Sequence, residues 1–167
     1  MAIVNSNELL NLAGAALAIP VASPAKINGS KVQYIAAKVA IAAGDDDTST
    51  FRVARLPSNS VLKEIKIGCT AITGGTDFNL GVARSPSTSG LGAVIDDNAL
   101  ADALTFATAS TFGLDGLKDV SVDNFTKELW ELAGLTADPD TTLDIVLTAI
   151  TIGTAAGTVS FKIEFTN

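Results

Sequence analysis

The sequence predicts an all-β chain: a two-sheet antiparallel β-sandwich, compatible with a jelly roll, carrying two short helical insertions and an N-terminal arm. Three observations lead there. Val159, Phe161, Ile163 and Phe165 alternate with Ser160, Lys162 and Glu164. That period of two lays four large apolar side chains on one face of a strand and polar ones on the other. The stretch before it differs, with Leu143, Ile145 and Leu147 on one face and Val146, Ile150 and Ile152 on the opposite one, the pattern of a strand covered on both sides. Finally, aromatic residues are few, while alanine, threonine, glycine and valine are abundant. This bias favours short strands and tight turns over helical bundles.

At 167 residues the chain suits one domain with a single core, burying roughly 70% of its unfolded surface. It divides into residues 1–30, an arm and linker, and residues 31–167, the sandwich. In the arm Asn5 is placed to cap a short helix, with Glu8 in the reciprocal position. Leu9, Leu10, Ala13, Ala16 and Leu17 then form an apolar stripe at helical spacing. Gly14 weakens that helix and Pro20 ends it. Pro20, Ser23, Pro24, Asn28, Gly29 and Ser30 make a linker. Two readings stay open: a helix packed on its own domain, or an arm docked on a neighbouring subunit.

In the body, Ile35, Ala37, Val39 and Ile41 alternate inward, a Gly44–Thr48 turn follows, and Phe51 and Val53 alternate in the return strand, which reads as a hairpin. The Asp45–Asp47 triplet lacks the ligand spacing of a calcium loop and is read as a solvated turn. Arg55 to Ser60 is a corner, because Pro57 takes the chain out of the strand. Val61, Ile65, Ile67, Cys69 and Ala71 then point inward, and Thr73-Gly-Gly-Thr76 turns the chain back into Phe78, Leu80 and Val82 as a second hairpin. Residues 85–90 are a loop. Asp96 or Asp97 is expected to cap a helix through Leu104, and Phe106 to Phe112 is read as an edge strand or extended loop. Asp123 is expected to cap a second helix with Phe125, Leu129, Leu132 and Ala133 on one face. Gly134 suits a left-handed terminating residue, with Leu135 packing back on Trp130. A third hairpin joins Leu143–Ile152 to Thr158–Phe165 through a Gly153–Gly157 turn.

Chemistry is bounded mainly by what the sequence lacks. There is no histidine, which removes the commonest general base and zinc ligand. The one cysteine, Cys69, rules out an internal disulfide and sits on an apolar strand face, a core position. Asp138 and Asp140 flank Pro139 in a loop rather than forming an acid–base pair. We expect no catalytic residues, no cofactor and no metal. The net charge of −7, with eleven scattered Lys and Arg, argues against nucleic acid. The apolar run Leu9–Ala22 is too short to cross a bilayer and lacks a positively charged flank, so neither a membrane span nor a signal peptide is expected. Synthesis in a cytosol is the matching expectation. No repeat of 20–50 residues recurs.

Several stretches, in order, resemble one family. They are Phe51–Leu62, Thr76–Val82, Asp96–Leu104, Glu128–Pro139 and Asp144–Phe161, with their Leu56-Pro57 corner and Gly153-Thr-Ala-Ala-Gly157 turn. Together they resemble the small β-sandwich structural proteins of tailed bacteriophage particles, especially head decoration or cement proteins, over about residues 33–165. The resemblance implies a non-enzymatic protein on the capsid exterior, made in the bacterial cytoplasm. It would bind the major capsid protein and itself as a homodimer or homotrimer, with no nucleic acid and no membrane as partners. The arm residues Ile3, Val4, Leu9, Leu10 and Leu12 are the candidate interface. A neck, tail or head-fibre component is the alternative, and a carbohydrate- or receptor-binding module, with Tyr34 and Trp130 as its candidate aromatics, is a further one.

Overall fold

The computed structural model describes residues 31–86 and 91–167. The arm, its five candidate interface residues and most of the 85–90 loop lie outside the described residues. Eight strands make up the body: β1 (Gln33–Ile41), β2 (Thr50–Pro57), β3 (Val61–Cys69), β4 (Asp77–Arg84), β5 (Val94–Leu104), β6 (Ser110–Asp115), β7 (Thr142–Thr151) and β8 (Gly157–Thr166), with one helical turn, α1 (Leu129–Leu132), before β7. They form two four-stranded sheets, ordered β1-β8-β3-β6 and β2-β7-β4-β5. All pairings are antiparallel. Along the chain, every connection crosses from one sheet to the other except β4 to β5. That is the strand order of an eight-stranded jelly roll.

The two strands on which the fold prediction rests occupy equivalent places, β7 inside one sheet and β8 inside the other. On β8 the period of two holds in full, with Val159, Phe161, Ile163 and Phe165 buried and Lys162 exposed. On β7, Leu143, Ile145 and Leu147 enter the core, and Val146 is buried on the opposite face. Ile150 departs from expectation and stands open to solvent. Between the sheets these side chains meet Ile65 and Ile67 of β3 and Phe78, Leu80 and Val82 of β4 in one continuous core.

None of the three expected hairpins forms. β1 pairs with β8 and not β2, β3 pairs with β8 and β6 and not β4, and β7 pairs with β2 and β4 and not β8. An alternating strand offers one apolar face. Facing another strand across a sandwich satisfies that face as well as lying beside one, and the loops here are long enough to span the roughly 10 Å between packed sheets. The one hairpin between successive strands, β4–β5, falls where a helix was expected. β5 carries three register irregularities against β4, and Ala103 has a left-handed φ of 50°. These kinks bring Leu100, Ala101 and Leu104 all inward, which imitates helical spacing. β5 also lies close over β4: a Cβ on Gly81 would collide with the carbonyls of Asp96 and Asp97, so only glycine admits that approach.

The expected helix from Asp123 shrinks to α1. Residues 122–126 run as turns, with hydrogen bonds from Asn124 N–H to Ser121 O and from Lys127 N–H to Asn124 O. The true cap is Glu128, in a reciprocal capping box with Glu131, and Phe125 is exposed instead of packed. The backbone N–H groups of Leu129 and Trp130 donate to Ser60 O and Ser58 O, so the Pro57 corner anchors the helix start. The far end is as expected. Gly134 has φ +73°, its N–H donates to Glu131 O, and Leu135 N–H donates to Trp130 O, the paired bonds of a Schellman motif. The Phe106–Phe112 stretch is an edge strand only from Ser110. Phe106 itself is fully buried, its ring centroid 4.6 Å from that of Phe78. Ala71 is exposed and its neighbour Ile72 takes the core position, because the ladder ends at Cys69.

Candidate interaction surface

Of the residues singled out for chemistry, those described have structural work. Cys69 is buried, its Sγ lies 3.5 Å from Thr108 O, and burial pushes its thiol pKa up, the reverse of an activated nucleophile. Asp45 accepts from Ala42 N–H at 2.7 Å and Asp47 from Ile152 N–H at 2.9 Å, which closes the β1–β2 connection and ties it to the end of β7. Asp138 accepts from the Ser58 hydroxyl and from Asp140 N–H, holding its loop on the Pro57 corner. Trp130 is half-buried and donates Nε1–H to Glu128 Oε2 at 2.7 Å. Tyr34, by contrast, is exposed on edge strand β1. Among the described residues no group of three or more His, Cys, Asp and Glu is placed to hold a metal ion.

Two arrangements were not anticipated. The first is a buried carboxylate. Asp144, on the outer face of β7, is fully buried and accepts from Arg55 Nε at 2.7 Å, Arg55 Nη2 at 3.0 Å and the Ser85 hydroxyl at 2.7 Å, with Arg52 Nη1 at 3.7 Å. Burial pushes its pKa up, but the bonds from Arg55 and Ser85, with the two guanidinium charges, outweigh it and hold the carboxyl below its ordinary value. The cluster fastens β2 and the end of β4 to β7. Its signal in the sequence was a lone acid inside an apolar run.

The second is an apolar groove of about 410 Å³ at one end of the sandwich. Its walls are Leu62 and Lys63 at the start of β3, Leu117, Val120 and Val122 after β6, Phe125, and Leu132 of α1. Leu62 is buried at the floor, whereas Val122 and Phe125 are 81% and 65% exposed. The turns at 122–126 create this opening, since a continuous helix would have carried Phe125 into the core. Burial pushes the pKa of the Lys63 ammonium down. A shallower cleft of about 320 Å³ continues from Lys63 and Leu117 along β3 and β6. Its lining is mixed, with a Lys66–Glu64 ion pair at 3.0 Å beside Ile65, Leu114 and Phe112, whose ring centroid lies 4.1 Å from the Lys162 ammonium.

No family model matches the chain, and no curated protein matches it. Among solved structures the chain is similar to a chain of the capsid asymmetric unit of cyanophage Pam1. The match has 19% identity and a TM-score of 0.48, and covers 99% of each chain. It is also similar, at 10% identity and a TM-score of 0.39, to a chain of the acidic stable capsid structure of Helicobacter pylori bacteriophage KHP30, covering 82% of this chain and 94% of that one.

Proposed function

We propose that the chain is a non-enzymatic structural protein of a tailed-bacteriophage particle, a decoration or cement protein that binds the outer face of the capsid and bridges major capsid protein subunits. The observation that carries this reading is the eight-stranded jelly roll, an architecture shared by viral capsid domains, lectins and cupins. Fold alone does not choose among these. The choice comes from the stretches that resemble phage head proteins, which fall on β2 through the start of β3, on β4, β5 and α1, and on the β7–β8 crossing. The absence of histidine weighs against the cupin pattern of metal chemistry. The arm (Ile3, Val4, Leu9, Leu10, Leu12) is the bridging element, packing on an adjacent subunit. Each aliphatic side chain it buries contributes roughly 1.5–3 kcal/mol before ordering costs. Many such bridges around a shell act together, so modest affinity per copy suffices.

The test is copy number in purified virions, by mass spectrometry against the major capsid protein. Hundreds of copies in simple ratio to the capsid subunit support a shell-wide role. A dozen or fewer move the protein to the neck, tail or a head fibre, and none discards the virion reading. Deleting residues 1–20 is expected to abolish capsid binding with the sandwich still folded; retained binding removes the arm from the mechanism.

A further inference from the structure

The apolar groove at the start of β3 leaves Val122 and Phe125 in water, and contiguous exposed apolar surface of this kind marks a docking site. Two features identify its occupant. One is where the chain enters the sandwich. Gln33 at the start of β1 stands opposite Phe165 on β8, and Phe165 stands opposite Leu62 on β3. The first strand therefore begins at the groove's end of the sheet, two strand spacings, about 10 Å, from the residue at its floor. A fully extended chain of the length between Leu17 and Lys31 spans at most about 45 Å, so its length permits the stripe Leu9, Leu10, Ala13 and Leu17 to reach the groove. The other feature is charge. Lys63 on the groove wall makes no ion pair among the described residues. Glu8, immediately before the stripe, carries the only charged side chain between Met1 and Ala25.

We propose that in the free protein residues 8–17 lie in the groove of their own chain, the leucine stripe against Val122, Phe125 and Leu132, and the Glu8 carboxylate at Lys63. A flexible tether of this length gives a local concentration near the millimolar range, which favours the chain's own groove over that of a second copy in dilute solution. The groove thus keeps the arm's apolar face out of water until another surface competes for it. This inference concerns the free chain and stands or falls apart from the capsid reading.

The test is cross-linking of the full-length chain carrying Leu10→Cys and Val122→Cys, using a short bismaleimide at low micromolar protein, read by gel and mass spectrometry. Native Cys69 is buried and stays in place. The expected product is a cross-link within one chain, its yield independent of protein concentration. Lys63→Glu is expected to lower the yield about fivefold, and Glu8→Lys added to it to restore the yield. A control pairs Leu10→Cys with Thr154→Cys in the β7–β8 loop at the opposite end of the sheet, where only background linkage is expected. Equal yields at the two positions, linkage only between two chains, or no linkage with both thiols reactive would each overturn the proposal. A yield unmoved by charge reversal would remove the Glu8–Lys63 contact from it.

Discussion

Replacing Asp144 by asparagine tests whether the buried carboxylate stabilises the sandwich through its charge. The side chain is fully buried and receives three short hydrogen bonds from Arg55 and Ser85. Asparagine keeps the shape and one acceptor oxygen, but turns an N–H₂ towards donors. Hydrogen bonds to charged groups are worth about 1.5–3 kcal/mol each. Here Arg55 and Arg52 are 41% and 45% exposed, and solvent screening discounts their share. The expected loss is therefore about 2 kcal/mol at pH 7, measured by urea denaturation. The pH dependence is the sharper test. The folded pKa of Asp144 lies below its ordinary value, so its contribution is fully present above the unfolded pKa of about 3.9. That contribution disappears as pH falls through the folded value. The gap between the native chain and Asp144→Asn should hold from pH 7 to pH 5 and narrow progressively as pH falls below about 4. A gap of the same size at pH 3 would show that asparagine acts through packing, and no gap at pH 7 would show that the pair contributes nothing net.

Three further outcomes follow from the packing. Phe106→Ala, at a fully buried ring stacked obliquely on Phe78, is expected to cost about 4 kcal/mol; a Phe78→Leu, Phe106→Leu double-mutant cycle should return a coupling of about 0.5–1.5 kcal/mol, and zero coupling would remove the ring pair from the account. Gly134→Ala meets no atom within 4 Å, so its cost of about 1–2 kcal/mol comes only from the left-handed backbone and should appear as a lowered melting temperature. Gly81→Ala drives a methyl into the β5 backbone. It is expected to cost about 1–3 kcal/mol and to speed amide exchange in β5 while leaving β8 protected.

Strand identity was legible wherever one face is buried and the other wet. Although the bulge between Leu62 and Glu64 brings Leu62 rather than Val61 into the core cluster, β8, the inward residues of β1, and Ile65, Ile67 and Cys69 of β3 read directly from alternation. So did the Schellman end of α1, because glycine with a following apolar residue encodes it locally. β5 and the turns at 122–126 were misread for one reason: a kinked strand and a string of turns both return apolar side chains every third or fourth residue, as a helix does. The groove went unseen with them, since its exposed Phe125 had been assigned to a buried helical face.

Residue order alone determined that this chain is a β-sandwich, that the Leu143–Ile152 strand is covered on both faces for most of its length while the last strand keeps one polar face, and that it lacks the histidine chemistry of many enzymes. Those are properties of single segments and of composition. Which strand lies beside which was decided only in three dimensions. An alternating strand is satisfied equally by a neighbour in its own sheet or by a partner across the core, and only packing all eight together selects the order β1-β8-β3-β6 over β2-β7-β4-β5. The burial of Asp144 and the opening of the groove are consequences of that choice, because each joins residues that are distant in the chain.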